Sequence, residues 1–481
     1  MKKKSDVLIC LLCGGLTGAS LLLPSIGFAV FMTAAPAFAI LAKKSRFKSF
    51  FAFALGLCMV GYSPVFSVNP GFDTATNLLL DLMVYVVICL VHGSILALSL
   101  FLAFKLPCPR GFRPFYAAVL WTSAEWLFGY GALAWPTLRL SLALWQYPFF
   151  LQSASFGGQL LVTAVIIFVN MLLASAKNAE TTKKSALCGG FALLVFISNL
   201  LFGAFSPKLP EKDTSVALIQ PGYNLISGYS QWEISQKAHE LALEAAEKKP
   251  RLMVLPESAL PPIFSEDELS GIYPWGSLTL ISGGDMIACG NRMNRSFAYH
   301  FGSDGKLRNM RKKLLEVPFF ENGVAAPFRW VAEKEEPPVE TDSGKLGILI
   351  CYESMFSSFA RAHAENGAEL FCVVTNDSWF DTHLARNLHL AHGVYRAVET
   401  GRYLVQSALN GTTAVIDPYG NVVSSIEAKE PGVLYEDVSL TPADTTYLEY
   451  GDLWLLICFI LVALMSVITN FKRGCSKVFL P

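Results

Sequence analysis

The sequence predicts a two-part protein: a multi-pass α-helical membrane bundle of about eight spans joined to an α/β domain. Three observations predict it. Of 481 residues, 53% are hydrophobic and only 16% charged, and the mean hydropathy is +0.43, too apolar for an ordinary water-soluble chain. Long apolar runs fill residues 1–206. From 207 the composition turns sharply to that of a globular domain, in which short β-rich runs alternate with helical segments.

Seven candidate spans (6–23, 27–42, 48–66, 80–104, 114–132, 158–176 and 186–204) are followed by an eighth at 453–471. Each is near the roughly 20 residues a helix needs to cross a bilayer core. The first run follows MKKK, as a secretory leader would, but no clear small-residue cleavage pattern ends it and further spans follow at once. It is expected to remain as a helix. Within it GGLTG, residues 14–18, has the spacing of a small-residue helix contact. Orientation follows the loop charges. Basic ends carry Lys2, Lys3 and Lys4, then Lys43, Lys44, Arg46 and Lys48, then Lys105, Arg110 and Arg113, then Lys177, Lys183 and Lys184, and last Lys472, Arg473 and Lys477. They alternate with ends almost free of Lys and Arg, near Pro24 and over 67–77. Both termini are therefore expected in the cytoplasm and residues 207 to about 450 on the opposite side, the periplasm in a bacterium. The expected domains are 1–206 with seven spans, 207–450 globular, and 451–481 carrying the eighth span and a tail.

In the globular part, SVALIQ, LMVLPE, LTLISGG, SFAYHF, LGILICYE, LFCVVTND, YLVQSALNG and TAVIDPYGNVV read as strands. SQWEISQKAHELALEAAEKK, SSFARAHAENGAE and ARNLHLAHGVYRAVETG read as helices, the last closing at Gly401. Near-continuous apolar strands with helices between them predict a sheet covered on both faces. Net charge is zero, which argues against nucleic-acid binding, and no phosphate-cradling glycine loop is present. The eleven cysteines are scattered, eight of them in apolar or membrane-flanking segments, and most read as small packing residues. His383, His389 and His392 stand without a carboxylate or Cys partner at ligand spacing, so helical amphipathicity explains them and no metal is expected.

Polar side chains cluster at three strand ends: Glu257 after LMVLP, Cys351-Tyr352-Glu353 after ILI, and Asn376-Asp377 after FCVVT. The carboxyl ends of buried strands are where α/β folds place their sites. RKKLLEVPFFE adds Lys313 and Glu321. Taken singly each has a plainer reading: Cys351 as a small core residue, Glu257 and Glu353 as helix-start acids, Lys313 as part of a solvated charge run. Taken together, Cys, Glu and Lys suffice for nucleophilic acyl transfer.

LPESALP, KKLLEVPFFE, GILICYES and TNDSWF…RAVETGRYLVQSALNGTTAVIDPYG together resemble the nitrilase-like carbon–nitrogen hydrolases. The eight-span arrangement around them is similar to the membrane-embedded apolipoprotein N-acyltransferase branch. The resemblance implies a nitrilase-like αββα sandwich, with Glu257 as general base, Lys313 as oxyanion-stabilising cation and Cys351 as nucleophile. Glu321, Tyr352, Glu353 and Asn294 would support them, and neither cofactor nor metal is implied. Cys351 would take an acyl chain from a membrane phospholipid as a thioester and pass it to the α-amine of a diacylated apolipoprotein at the bacterial inner membrane. Two departures stand out: Phe320 replaces the glycine of the usual Val-Pro-Phe-Gly-Glu, and Glu316 replaces the usual leucine before that valine. PGYNLISGYSQW, PPIF and GVAAPFRW are aromatic or apolar loops suited to a membrane interface. A membrane-anchored amidase, passing the acyl group to water, is the alternative. A transporter is disfavoured because the spans read as largely free of buried charge.

Overall fold

A computed structural model describes residues 2–44, 46–67, 74–130, 134–204, 209, 211–223, 228–261, 263, 278–287, 294–317, 337–380, 382–440 and 442–478. The chain forms two compact units, one from Met1–Val65, Leu82–Ser206 and Glu449–Pro481, the other from Phe66–Asp81 and Pro207–Leu448.

Six described helical stretches are long and apolar enough to cross a membrane: Ser5–Leu22, Pro24–Lys44, Leu78–Lys105, Ala154–Lys177, Thr182–Ala204 and Leu453–Arg473. The expected spans at 48–66 and 114–132 are helices of only 15 residues, Phe47–Gly61 and Arg113–Leu127. At about 1.5 Å per residue each is roughly 22 Å long, shorter than a bilayer core of roughly 30 Å. Tight backbone contact binds Lys2–Leu22 to Phe47–Gly61. A Cβ added at Gly14 would lie 2.0 Å from the Phe53 carbonyl oxygen, and one at Gly56 2.2 Å from that of Leu11. The GGLTG spacing thus marks a real helix contact. Cys10 and Cys13, a Cys-x-x-Cys by spacing, are free and buried in the first helix.

The expectation of spans largely free of buried charge is corrected here. Glu125 is fully buried and Arg139 6% exposed. Glu125 accepts from the Trp121 indole at 2.8 Å, the Leu140 N–H at 3.1 Å and the Thr163 hydroxyl at 2.8 Å, while Arg139 donates to Gln159 at 3.0 Å. Satisfying Leu140 N–H matters because 136–144 is a run of short 3-10 turns, and a buried backbone N–H left without a partner is costly.

The second unit is a four-layer αββα sandwich. One sheet has the order β12–β1–β2–β3–β4–β5, the other β11–β10–β9–β8–β7–β6. Their strands are β1 Thr214–Gln220, β2 Leu252–Val254, β3 Thr279–Ile287, β4 Asn294–Phe301, β5 Leu307–Lys312, β6 Val339–Thr341, β7 Gly344–Ile350, β8 Leu370–Thr375, β9 Leu404–Ala408, β10 Thr413–Ile416, β11 Val422–Ile426 and β12 Gly432–Val438. Alternate residues explain the layers. Val216, Leu218, Leu252 and Val254 face Ile348, Ile350, Cys372 and Val374 of the other sheet, while Ala217, Ile219, Met253 and Leu255 face the helix Gln231–Glu247. That helix starts at Ser230, whose hydroxyl accepts from the Glu233 N–H while Glu233 accepts from the Ser230 N–H. Helices Ser357–Glu365 and His383–Thr400 accompany the second sheet, the latter ending at Gly401 with φ 64°.

Candidate active site

Parallel pairing aligns the strand ends that carry the chemistry. β2 pairs with β1 and β3, and β8 with β7 and β9, all parallel, so Glu257, Cys351 and Asn376 each follow the carboxyl end of a buried strand.

Glu257 is 3% exposed and engaged through both carboxylate oxygens. Oε1 accepts from Lys313 Nζ at 3.1 Å and Oε2 from the Asn376 N–H at 3.1 Å, the second bond joining the two sheets. Lys313 is itself 3% exposed, so this is a buried ion pair and not a solvated charge run. Its backbone N–H donates to the Ser296 carbonyl at 2.9 Å, fixing it just past β5. The turn carrying Glu257 lies directly on β3: the Gly283 N–H donates to the Pro256 carbonyl, and a Cβ at Gly283 would stand 2.4 Å from the Glu257 Cα. Only glycine permits that approach. Ser258, at φ 58°, donates to Asp285 at 2.7 Å and completes the clamp.

Cys351 follows β7 and opens a 3-10 turn over Cys351–Met355 with φ 50°, a conformation L-residues rarely adopt. It is partly exposed, whereas Tyr352 is 3% exposed and packs edge-on against Phe356 at 5.1 Å between ring centroids. The strained turn sets Cys351 at a strand tip, with the Tyr352 N–H next along the chain.

Glu353 is fully buried and ties the cysteine turn to the lysine strand. It accepts from the Ile350 N–H at 2.9 Å, the Leu314 N–H at 2.7 Å and Arg311 Nη1 at 2.7 Å. It therefore bridges the residue before Cys351 to both sides of Lys313, and it does not begin an α-helix. Of the other expected site residues, Asn294 opens β4 but its side chain, like the whole of Phe320 and Glu321, lies outside the described residues. GVAAPFRW and parts of the other two aromatic loops lie outside them as well; within PGYNLISGYSQW, the Tyr223 and Tyr229 rings stack at 4.2 Å.

Sequence reasoning left Asp377 and His389 without roles. His389 Nδ1 lies 2.7 Å from Asp377 Oδ1, and its Nε2 lies 2.8 Å from the Ser354 hydroxyl and 3.2 Å from the Cys351 carbonyl oxygen. Burial alone would lower the His389 pKa, but the Asp377 charge and hydrogen bond, the Cys351 carbonyl and the Glu257 charge carry it above its ordinary value. Helical amphipathicity thus does not account for His389. The one available signal was the TND strand end, since nothing in the spacing ties Asp377 to a histidine 12 residues on. Among the described residues, no three His, Cys, Asp or Glu side chains are grouped to hold a metal.

A buried carboxylate–ammonium pair and a thiol on a strained turn, each just past the carboxyl end of a strand, are the groups that general acid–base and nucleophilic chemistry at a carbonyl carbon requires. Residues 215–446 match the family model described as carbon-nitrogen hydrolase, and residues 13–172 match that described as apolipoprotein N-acyltransferase N-terminal domain. The apolipoprotein N-acyltransferase of Thermotoga maritima is 27% identical over 389 residues, covering 78% of this chain and 74% of that protein. That of Gloeobacter violaceus is 28% identical over 399 residues, covering 74% and 72%. The crystal structure of an amidase from Nesterenkonia sp. aligns with 53% of this chain and 99% of its own at 20% identity and a TM-score of 0.40.

Proposed function

We propose that this chain, which belongs to the apolipoprotein N-acyltransferases of the carbon–nitrogen hydrolase superfamily, moves an acyl chain from a membrane phospholipid to the α-amine of an apolipoprotein's N-terminal S-diacylglyceryl-cysteine. The observation that carries the roles is the buried Lys313–Glu257 pair at the same strand ends as Cys351. Glu257 takes the Cys351 proton, and the thiolate attacks the phospholipid ester carbonyl. Lys313 and the Tyr352 N–H stabilise the oxyanion. As the tetrahedral intermediate collapses, the ester C–O bond breaks and Glu257 returns the proton to the departing lysophospholipid. The α-amine then attacks the thioester carbonyl, Glu257 accepts the amine proton, and the thiolate leaves and is reprotonated. Atoms and charge balance with no cofactor.

Both substrates are lipids held in a bilayer, which accounts for joining this domain to six long apolar helices. The loop charges support cytoplasmic termini with the catalytic part, residues 207–450, in the periplasm, between a membrane part over 1–206 and the last helix and tail over 451–481. Incubation with phospholipid labelled in its acyl chain and a diacylated lipopeptide bearing a free α-amine tests the reading. Labelled triacylated peptide is expected from the wild type and none from Cys351→Ala. Labelled free fatty acid formed regardless of the amine would favour hydrolysis and sink the transferase reading.

A further inference from the structure

A second set of buried groups reaches the nucleophile's peptide from the side of Asp377, and the donors and acceptors in it can be counted. The Cys351 carbonyl oxygen only accepts. Ser354 has one hydroxyl proton and donates it to that carbonyl at 2.8 Å. His389 Nε2, 3.2 Å from the same carbonyl and 2.8 Å from the Ser354 oxygen, satisfies both only by donating. His389 Nδ1 faces the Asp377 carboxylate at 2.7 Å and must donate there too. Both ring nitrogens then carry protons, which makes the ring an imidazolium. A neutral ring would set the Nε2 lone pair against the carbonyl's in a site 1% exposed. The Thr375 hydroxyl, donating to Asp377 at 3.0 Å, steadies the carboxylate. Among the described residues, the ionisable groups facing His389 from neighbouring elements are Asp377 after β8, Glu257 after β2 and Cys351 after β7, with Lys313 bonded to Glu257.

We propose that Asp377 and His389 are positioning residues for acyl transfer: the pair keeps an imidazolium bonded to the Cys351 carbonyl, holding the strained turn and favouring the thiolate. The proposal rests on Cys351 being the acyl-carrying thiol. The positive charge acts through the nucleophile's own peptide, in a low-dielectric site where a full charge is weakly screened. Bonded to the nucleophile's own peptide, it acts on the readiness of the thiol and the geometry of the turn.

The test is the pH dependence of Cys351 alkylation by iodoacetamide in the full-length protein, read at the Cys351 peptide by mass spectrometry. Asp377→Asn and His389→Gln are expected to move the midpoint up by about one pH unit, so that alkylation below the midpoint slows about tenfold. Ser354→Ala removes the hydroxyl's two hydrogen bonds, to the Cys351 carbonyl and from His389 Nε2, but leaves the charge, and its midpoint is expected to stay with the wild type. Folded Asp377→Asn and His389→Gln proteins with an unmoved midpoint overturn the proposal. So does a shift in Ser354→Ala as large as theirs, which marks a purely structural role. Should neither charge variant fold, the ¹⁵N spectrum of histidine-labelled wild type in lipid decides. The signal moved by Ser354→Ala is expected to show two protonated ring nitrogens at neutral pH, and a neutral tautomer overturns the proposal. Failure of the acyl-carrier reading is distinguishable, because it appears as acyl transfer surviving in Cys351→Ala.

Discussion

Replacing Glu353 with Gln tests how the site is held together. The carboxylate accepts three hydrogen bonds from Ile350, Leu314 and Arg311, and its Oε1 and Oε2 share them one and two. A glutamine of the same shape has one acceptor oxygen and one NH₂, so in either orientation at least one N–H donor meets another donor. Charge-assisted bonds of this kind are worth about 1.5–3 kcal/mol each, and the Arg311 guanidinium also loses its buried counter-charge. A loss of about 3 kcal/mol is therefore expected locally, falling on the turn that carries Cys351 and on the residue beside Lys313. Catalytic groups displaced by about 1 Å lose on the order of 100-fold in rate. Acyl transfer by Glu353→Gln is expected to show kcat about 100-fold below wild type with KM little changed, because Glu353 is expected to bind no substrate. The assay is steady-state transfer to a diacylated lipopeptide, with the melting temperature measured on the same preparation. A folded Glu353→Gln enzyme with kcat within about threefold of wild type, a barrier change under about 1 kcal/mol, would refute the bridging role.

Gly283→Ala puts a methyl 2.4 Å from the Glu257 Cα, so the turn must move; kcat is expected to fall at least about tenfold in a protein that still folds, and wild-type kcat would contradict the close-approach argument. His363 makes a pH prediction: its pKa is lowered to about 3, first by burial and then by the Arg311 charge. Below its ordinary value near 6.5 the unfolded chain binds a proton that the folded chain refuses, so stability drops as pH falls from about 6.5 to about 3, by up to about 1.4 kcal/mol per pH unit. His363→Leu is expected to flatten the slope of stability against pH in that window, as read by denaturant unfolding at several pH values. An unchanged slope would contradict this.

Much of the sandwich was legible because its buried strands are short, apolar and bounded by turn residues. LMVLP, LGILI and LFCVV each bury every core position, and their polar successors mark the site. β5 escaped notice because Leu307-Arg308-Asn309-Met310-Arg311-Lys312 lies at the sheet edge, where partial exposure leaves no apolar period to read. β12, Gly432–Val438, is likewise an edge strand with most of its side chains half-buried. The two 15-residue helices were read as spans because apolar composition reports burial without saying how far the helix continues. At the site, Glu257, Lys313 and Cys351 stand out in the sequence through their flanking words. The Asp377–His389 contact depends on how helix His383–Thr400 lies against the end of β8, and no local spacing encodes that. Arg139 and Glu125 share a buried network through Gln159, Thr163 and the turn between them, a tertiary fact that hydropathy averages away.

The central claim is that Cys351 carries the acyl group. Full-length protein incubated with labelled phospholipid and no acceptor, then digested and analysed by mass spectrometry, tests it directly. The account predicts a hydroxylamine-labile acyl adduct on the Cys351 peptide, discharged when a lipopeptide with a free α-amine is added and retained when that amine is acetylated. An adduct on another residue, or transfer that proceeds in Cys351→Ala, would contradict it.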